Sequence, residues 1–345
     1  MKATTTLFGH TQDGQEAKLF TFETHNGLSV NITNFGGIIT SIKTPDKDGK
    51  AEEIAAGFDN LEEYLKGHPH FGVIVGRFAN RIAKGKFTID GAEYTLPINN
   101  GPNHLHGGDN GFHNKLWDYK LESDSEKATL TLSYISPHLE AGYPGNLKVT
   151  VIYTVQSNNT LQIDFYATTD APTHVNLTSH SYFNLSGFKE DIFAHELYLN
   201  SSKYVEVDET QIPTGRLAPS KSSLFDFSQS RLLGPSIMGI DGGIDHCFVL
   251  NHDYDISKAA AKLLHHESGR KLSLYCTHPG IQVYTGNSLD GNYAGHNRTV
   301  YNKNWAVCLE MQHFPDTPNQ PTFPSTLLKP GEEYHQKAKF VFETM

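Results

Sequence analysis

Apolar and polar residues alternate with a period of two along much of this chain, which is the pattern of β-strands that bury one face. The alternation is clearest over residues 28–33, 130–134, 147–153, 161–165 and 334–340. Asp90-Gly91 lies between two such short runs and predicts a hairpin, because a type I′ turn needs positive φ at both positions. Short strands separated by turn residues favour an antiparallel all-β sandwich or barrel over alternating βαβ units.

Helix signals are few. Residues 60–65 predict one short helix with Asp59 or Asn60 as its N-cap. The Ala, Lys and Leu content of residues 257–266 favours a helix. The turn-like residues 267–270 and the alternating residues 271–275 favour a hairpin instead, which is the structure that we predict. We see no repeat, linker or composition break and therefore expect a single domain over residues 1–345.

Composition and charge narrow the class of protein. Hydrophobic residues make up 37% of the chain, with 20 Phe and 16 Tyr, so a globular core is expected. The net charge is −10 and no dense basic block occurs, which disfavours nucleic acid or an anionic membrane as a partner. No stretch has the length and apolarity of a membrane helix, and the N-terminus lacks the apolar region of a signal peptide.

The three cysteines indicate a compartment. Cys247, Cys276 and Cys308 are an odd number and contain no CxxC spacing. Each lies in or beside an apolar stretch, so we expect buried, reduced thiols and a cytoplasmic protein.

Polar clusters beside predicted strands are the candidates for chemistry. Arg77, Asn80 and Arg81 follow an apolar run and offer the donors that a polyhydroxylated ligand needs, or form a solvated turn. His104 and His106 would share one face of an extended segment, which suits either a metal site or a hydrogen-bonded structural pair.

A second group of candidates could transfer protons or bind sugar hydroxyls. Glu310 interrupts a strongly apolar strand and is the strongest single candidate, since buried carboxylates are rare unless paired or functional. His180 lies among small polar and aromatic residues, where it could act as acid or base or be tied to a carbonyl. Gln282 and Tyr284 offer an amide and a phenol to a sugar, or belong to an ordinary strand.

Taken together, these segments resemble the aldose 1-epimerase family. Seven motifs occur in the family's order and extend from residue 76 to residue 316: GRFANRI (76–82), NHLHGG (103–108), SHSYFNL (179–185), IPTG (212–215), GIDH (243–246), IQVYTGN (281–287) and LEMQHFPD (309–316). The resemblance implies a large antiparallel β-sandwich, the galactose mutarotase-like supersandwich, with few short helices. It also implies an isomerase that interconverts the α and β anomers of free hexoses such as galactose and glucose, without a redox cofactor.

The resemblance further implies roles for individual residues. Glu310 matches the catalytic base, His180 the catalytic acid, and His106 a second active-site histidine near the ring oxygen. The positions that match sugar-binding residues of the family are Asn80, Arg81, His106, Tyr182, Asp245 and Gln282. Ser179 and Cys247 depart from the residues that many relatives have at these positions.

The chemistry of mutarotation is consistent with these residues. Ring opening needs a base for the anomeric hydroxyl and an acid for the ring oxygen, which we expect on opposite sides of the sugar. We expect Glu310 to be ionised and His180 to be held cationic by Asp245 or Glu310. The reaction requires no cofactor and no metal; a structural cation such as calcium is left open by the sequence. The expected partner is a small sugar, and the expected assembly is a monomer or weak dimer.

Four alternatives remain open from the sequence. A glycoside hydrolase would use Asp245 and Glu310 as its two carboxylates, whereas a sugar-binding module would need neither Glu310 nor His180. A metal-dependent enzyme would be built on the pair His104 and His106. An epimerase acting on hexose 6-phosphates would need a cationic pocket, for which Arg77 and Arg81 are the candidates.

Overall fold

The computed structural model describes residues 1–251 and 254–345. These ranges contain two short α-helices, α1 (Leu61–Leu65) and α2 (Leu233–Gly239), and single 3-10 turns at Ala83–Gly85, Phe112–Asn114, Glu140–Gly142, His296–Arg298 and Thr317–Asn319. The strands in chain order are β1 (Lys2–His10), β2 (Glu16–Glu23), β3 (Ser29–Thr33), β4 (Ile39–Pro45), β5 (Ala51–Glu53), β6 (Ile74–Val75), β7 (Arg81–Ile82), β8 (Lys86–Ile89), β9 (Ala92–Thr95), β10 (His104–Leu105), β11 (Asp118–Ser123), β12 (Lys127–Ser136), β13 (Leu147–Gln156), β14 (Thr160–Thr169), β15 (Thr173–His174), β16 (Thr178–Ser179), β17 (Tyr182–Phe183), β18 (Glu196–Leu199), β19 (Ser201–Val207), β20 (Pro213–Pro219), β21 (Arg231–Leu232), β22 (Asp245–Leu250), β23 (Ala261–His265), β24 (Arg270–Cys276), β25 (Gly280–Tyr284), β26 (Val307–Gln312), β27 (Leu327–Leu328) and β28 (Tyr334–Thr344).

Three antiparallel sheets organise the described residues. A nine-stranded sheet has the order β11-β12-β13-β14-β28-β24-β23-β18-β21, and a six-stranded sheet has the order β17-β26-β25-β22-β19-β20. A five-stranded meander, β1 to β5, forms the third sheet, and the remaining strands form two-stranded pairs. Strand β16 of the two-stranded pair β16-β6 is followed closely in the chain by β17, an edge strand of the six-stranded sheet.

One apolar core joins the three sheets. Phe20 of β2, Val151 of β13, Leu274 of β24, Val283 of β25 and Met311 of β26 belong to the same cluster and are fully buried. Strand β13 alternates buried and less buried positions along its whole length, whereas β26 is buried throughout. Burial of apolar surface contributes roughly 25 cal/mol per Å², so this shared core holds the three sheets in fixed positions.

The strand predictions are confirmed. Each of the five alternating segments overlaps a strand, namely β3, β12, β13, β14 and β28. In the predicted hairpin Ile89 lies opposite Ala92, with φ of 50° at Asp90 and 83° at Gly91. The ambiguous segment contributes β23, which pairs antiparallel with β24, so the hairpin interpretation is confirmed.

The helix prediction is confirmed and one helix was missed. Asn60, and not Asp59, is the N-cap of α1, because its side chain accepts a hydrogen bond from the Glu63 N–H at 3.1 Å. Helix α2 was not predicted, because its sequence LGPSIMG contains the Gly-Pro pair that normally indicates a turn. Within the described residues no helix has the length and apolarity needed to cross a membrane. All three cysteines are buried, and none of them forms a disulfide within the described residues.

Candidate active site

Glu310 lies on the second face of β26, away from the apolar core. The strand is buried on both faces, with Leu309 and Met311 in the core and Glu310 between them on the other side. Glu310 is paired directly opposite Gln282 of β25, which in turn is paired opposite Cys247 of β22. Since side chains two residues apart share a face, Asp245 at the start of β22 belongs to the same face.

His180 is held beside Glu310 by the loop between β16 and β17. Its backbone N–H donates to the Val73 carbonyl at 3.0 Å, and its carbonyl accepts from the Gly72 N–H at 3.0 Å. Its ring stacks on the Tyr182 ring, with centroids 5.1 Å apart and an interplanar angle of 19°. Tyr182 is fixed in turn because its hydroxyl donates to the Pro69 carbonyl at 2.7 Å.

Asn80 and His106 face each other across two tight turns. Both have left-handed backbone conformations, with φ of 65° and 53°, which few residues other than glycine adopt. The Asn80 N–H donates to His106 Nδ1 at 3.1 Å, and the His106 N–H donates to the Asn80 carbonyl at 3.1 Å. These reciprocal hydrogen bonds compensate for backbone strain at a place where the side chains must point into a cavity.

Arg81, Asp245 and Gln282 form a polar chain beside Glu310. Gln282 Nε2 donates to Asp245 Oδ1 at 2.6 Å, and Arg81 Nη2 lies 3.8 Å from Asp245 Oδ2. Arg81 is also oriented by Asn100, whose Oδ1 accepts from Arg81 Nε at 2.9 Å. These three contacting side chains present cationic, anionic and amide groups to one side of the site.

These elements enclose a cavity of about 420 Å³. Seven of the eight residues proposed from the sequence line it, and the eighth, Gln282, lies behind Asp245. The seven are Asn80, Arg81, His106, His180, Tyr182, Asp245 and Glu310. Sequence reasoning did not single out several further lining residues, namely His70, Asn100, Gln211, Asp241, His246, Asn287 and Ser288.

The cavity contains a close pair of titratable side chains, His180 and Glu310. His180 Nε2 lies 3.6 Å from Glu310 Oε2, and both side chains are almost fully buried. Burial raises the pKa of Glu310 well above its ordinary value; Asp245 raises it further and Arg81 opposes this. Burial lowers the pKa of His180 to about 3, and nearby His70 adds to the effect.

The expectation that His180 is held cationic is therefore wrong for the free cavity. Desolvation disfavours the charged form of both groups and is the largest cause of both shifts in pKa. The expected placement on opposite sides of a sugar is also wrong, since Glu310 and His180 adjoin each other at 3.6 Å. Burial therefore favours the neutral form of the pair, a carboxylic acid beside an imidazole.

His106 has a fixed tautomer. Because Nδ1 accepts the Asn80 N–H, the single proton of the neutral ring lies on Nε2. Burial lowers the pKa of His106 well below its ordinary value, so the ring is neutral. His106 is thus an Nε2–H donor.

This tautomer bears on metal binding. Ligand atoms of His106, His180 and Glu310 lie within 4.8 Å of one another. Neither ring nitrogen of His106 offers a free lone pair, however, because Nδ1 accepts a hydrogen bond and Nε2 carries the proton. The donor set fits a metal ion poorly, because a histidine ligand must offer an unprotonated nitrogen.

His104 and Arg77 lie outside the cavity. His104 is hydrogen-bonded by both ring nitrogens, through Nδ1 to the Pro97 carbonyl at 2.7 Å and through Nε2 to the Tyr143 hydroxyl at 2.8 Å. The chain is not extended at His106, so the two histidines do not form a metal pair. Arg77 is buried, and its guanidinium donates to Ser136 Oγ and to the carbonyls of Ser136, Pro137 and Pro144. Both residues are structural, and the ligand-binding interpretation of Arg77 is wrong.

Several buried polar atoms at the site have no hydrogen-bond partner in the described part of the chain. They include His180 Nδ1, Glu310 Oε2 and Gln282 Oε1, and also the Ser179 hydroxyl beside His180. Buried polar groups are normally satisfied. His180 and Glu310 line the cavity, so it has unpaired polar groups in its wall.

The cavity thus places a buried carboxyl group beside a buried imidazole on the face of an antiparallel β-sheet. Comparison with known proteins gives the family. The family model described as aldose 1-epimerase matches residues 18–341. The chain belongs to the aldose 1-epimerase family and is an isomerase of that class, which interconverts the anomers of aldoses.

Relatives and solved structures agree with this assignment. The chain is 44% identical to galactose mutarotase of Rattus norvegicus over 344 residues, which cover 99% of each chain. It is 33% identical to aldose 1-epimerase of Escherichia coli K12 over 338 residues, 96% of each chain. The aldose epimerase homologue of C. elegans superposes with a TM-score of 0.89 at 30% identity, covering 95% of this chain and 99% of that one. Galactose 1-epimerase of Lactobacillus acidophilus gives a TM-score of 0.87 at 26% identity and 99% coverage of both chains.

Proposed function

We propose that this cavity interconverts the α and β anomers of free hexoses, with galactose as a substrate, and that His180 and Glu310 transfer the protons. The observation that carries the proposal is the 3.6 Å separation between His180 Nε2 and Glu310 Oε2 inside the cavity. The two oxygens that exchange protons during mutarotation, O1 and O5, are bonded to the same carbon. An adjoining base and acid therefore reach both oxygens.

Ring opening starts from the ionic form of the pair, in which Glu310 is a carboxylate and His180 is an imidazolium. Glu310 as carboxylate removes the proton from the O1 hydroxyl, and the electron pair of that O–H bond forms the C1=O1 double bond. The C1–O5 bond breaks towards O5, which takes the proton of the His180 imidazolium. The product is the open-chain aldehyde, with Glu310 protonated and His180 neutral. Rotation about C1–C2 and reversal of these transfers close the ring as the other anomer.

Glu310 and His180 together carry one titratable proton both before and after each half-reaction. The form before ring opening is ionic, and the form after it is the neutral form that burial favours in the free cavity. Burial thus stabilises the protonation state that the open-chain sugar requires. The guanidinium of Arg81, which lowers the pKa of Glu310, stabilises the ionic state that starts the reaction.

The remaining residues bind and orient the sugar. Arg81 and Asp245 together offer donors and acceptors to ring hydroxyls, and Asn80 adds an amide. Gln282 is a positioning residue, since it holds the Asp245 carboxylate by a 2.6 Å hydrogen bond. His106 Nε2–H is a donor for the ring oxygen side of the sugar, where developing negative charge is stabilised by a preorganised hydrogen bond.

Glycoside hydrolysis is a weaker interpretation of the same cavity. A hydrolase needs two carboxyl groups that flank the glycosidic bond. Asp245 is engaged by Gln282 and Arg81, whereas the group adjoining Glu310 is an imidazole. This pairing supports mutarotation.

The proposal extends to cofactors, assembly and compartment. The steps above balance without a redox cofactor or a metal ion. Every residue assigned a role lies on one chain, so a monomer is sufficient for activity, whether or not a weak dimer forms. Three buried cysteines without a disulfide are consistent with a reducing compartment such as the cytoplasm.

Polarimetry tests the proposal directly. Freshly dissolved α-D-galactose and α-D-glucose should reach their equilibrium rotation much faster with the enzyme than without it. A preparation that leaves the rate of rotation unchanged but hydrolyses a nitrophenyl galactoside would overturn the proposal and favour the hydrolase.

A further inference from the structure

His70 lines the same cavity but has no part in the proton transfers. It lies in the loop between α1 and β6 and has a left-handed backbone with φ of 62°. Its ring centroid is 4.9 Å from His106, 4.9 Å from His113 and 5.8 Å from His180. Among the described residues, neither ring nitrogen of His70 has a hydrogen-bond partner. The ring therefore offers unused donor and acceptor capacity to a ligand.

The position of the acid–base pair fixes how the sugar lies relative to His70. If Glu310 acts on O1 and His180 acts on O5, the anomeric carbon lies beside both groups. The other bond of O5 leads to C5, which carries the exocyclic C6 group of a hexose. C5 and C6 therefore lie on the side of His180 that faces away from Glu310.

Two other aromatic neighbours of the His180 ring are paired with the strand that carries Glu310. Tyr182 and Tyr284 are paired opposite Cys308, which is on the same strand as Glu310. A ligand atom of His106 also lies within 4.8 Å of Glu310. His70 comes from a separate loop and stacks on His180 with an interplanar angle of 22°. His70 is therefore a polar side chain of the cavity that lies beside His180 and outside the sheet that carries Glu310.

We propose that His70 determines specificity by binding the C6 hydroxyl of the hexose. The proposal rests on the function proposed above. A neutral imidazole has one donor and one acceptor, which matches a hydroxyl that both donates and accepts. Burial lowers the pKa of His70 to about 4, so the ring is neutral near pH 7.

Sugars that differ only at C6 test the proposal. D-galactose has the C6 hydroxyl, 6-deoxy-D-galactose lacks this hydroxyl, and L-arabinose lacks the whole C6 group. With the unaltered enzyme, kcat/KM should be about tenfold lower for 6-deoxy-D-galactose than for D-galactose, the effect of one lost hydrogen bond. L-arabinose should be no better than 6-deoxy-D-galactose.

Two variants separate hydrogen bonding from packing. His70→Phe keeps a ring among the histidines but removes both hydrogen-bonding nitrogens, so kcat/KM for D-galactose should fall about tenfold while 6-deoxy-D-galactose is unaffected. His70→Asn is the matched control, since asparagine tolerates left-handed φ and keeps a donor and an acceptor. It should retain the preference for D-galactose.

The outcomes distinguish this inference from the proposed function. Equal losses for both sugars in His70→Phe would show that His70 only supports the fold, and would overturn the inference while mutarotation stands. If His70→Phe does not fold, the unaltered enzyme decides: equal kcat/KM for D-galactose and 6-deoxy-D-galactose overturns the inference. Failure to accelerate mutarotation of any of these sugars would instead overturn the proposed function.

Discussion

His104 and His106 are separated by one residue, and at the residue scale their different surroundings give them different roles. His104 is completely buried between the Pro97 carbonyl and the Tyr143 hydroxyl. His104→Phe leaves both partners unpaired, so the free energy of unfolding should fall by about 2–4 kcal/mol, with little change in kcat per folded molecule. His106→Phe removes the cavity donor and should lower kcat/KM about 10²-fold with a smaller loss of stability. Urea denaturation and polarimetry on both variants check this, and the reverse pattern would contradict the assignment.

The pH profile also belongs to the residue scale. The active pair carries one proton, so activity requires that the pair neither gains a second proton nor loses its only one. As pH falls, the second proton binds His180, whose pKa is lowered to about 3; as pH rises, the shared proton leaves Glu310, whose pKa is raised. Measured kcat/KM should therefore be bell-shaped, with its acid limb well below the ordinary imidazole pKa of about 6.5. A profile flat from acid to alkaline pH would contradict the shared-proton pair.

At the scale of elements, the turn that carries His106 depends on Gly107. A Cβ at Gly107, where φ is 81°, would lie 2.0 Å from the Gly76 carbonyl oxygen. Gly91 has a similar φ of 83°, but a Cβ there would have no atom within 4 Å, so it provides a matched control. Gly91→Ala should cost about 1–2 kcal/mol of stability and leave kcat unchanged. Gly107→Ala should cost more and also lower kcat, because the clash displaces His106; equal effects in thermal melts and polarimetry would contradict this.

The same scale explains what the sequence could and could not predict. Strands such as β13 were predictable because a strand with one buried face alternates along its own sequence. Glu310 was predictable because a carboxylate within an apolar strand is locally conspicuous. The placement of His106 in the cavity and His104 outside it was not predictable, because it depends on a positive φ at His106, a residue other than glycine. The charge of His180 depends on burial by distant segments, and a local pattern does not report it.

At the scale of the whole molecule, the distribution of charge predicts which sugars are poor substrates. The chain has a net charge of −10, and the described lining of the cavity combines the carboxylates Asp241 and Asp245 with one arginine, Arg81, and no lysine. Arg77, the other arginine considered for a phosphate pocket, is buried outside the cavity. Galactose 6-phosphate should therefore have a kcat/KM at least about tenfold below that of galactose, and added salt should narrow the gap by screening. A preference for the 6-phosphate would contradict this account.

The central claim is that Glu310 is the base that opens and closes the sugar ring. Glu310→Gln keeps the size and shape of the side chain but cannot accept the proton from O1. Polarimetry with α-D-galactose should show kcat reduced by about 10²–10⁴-fold, while calorimetry shows that galactose still binds. Near-normal turnover in a correctly folded Glu310→Gln variant would contradict the account.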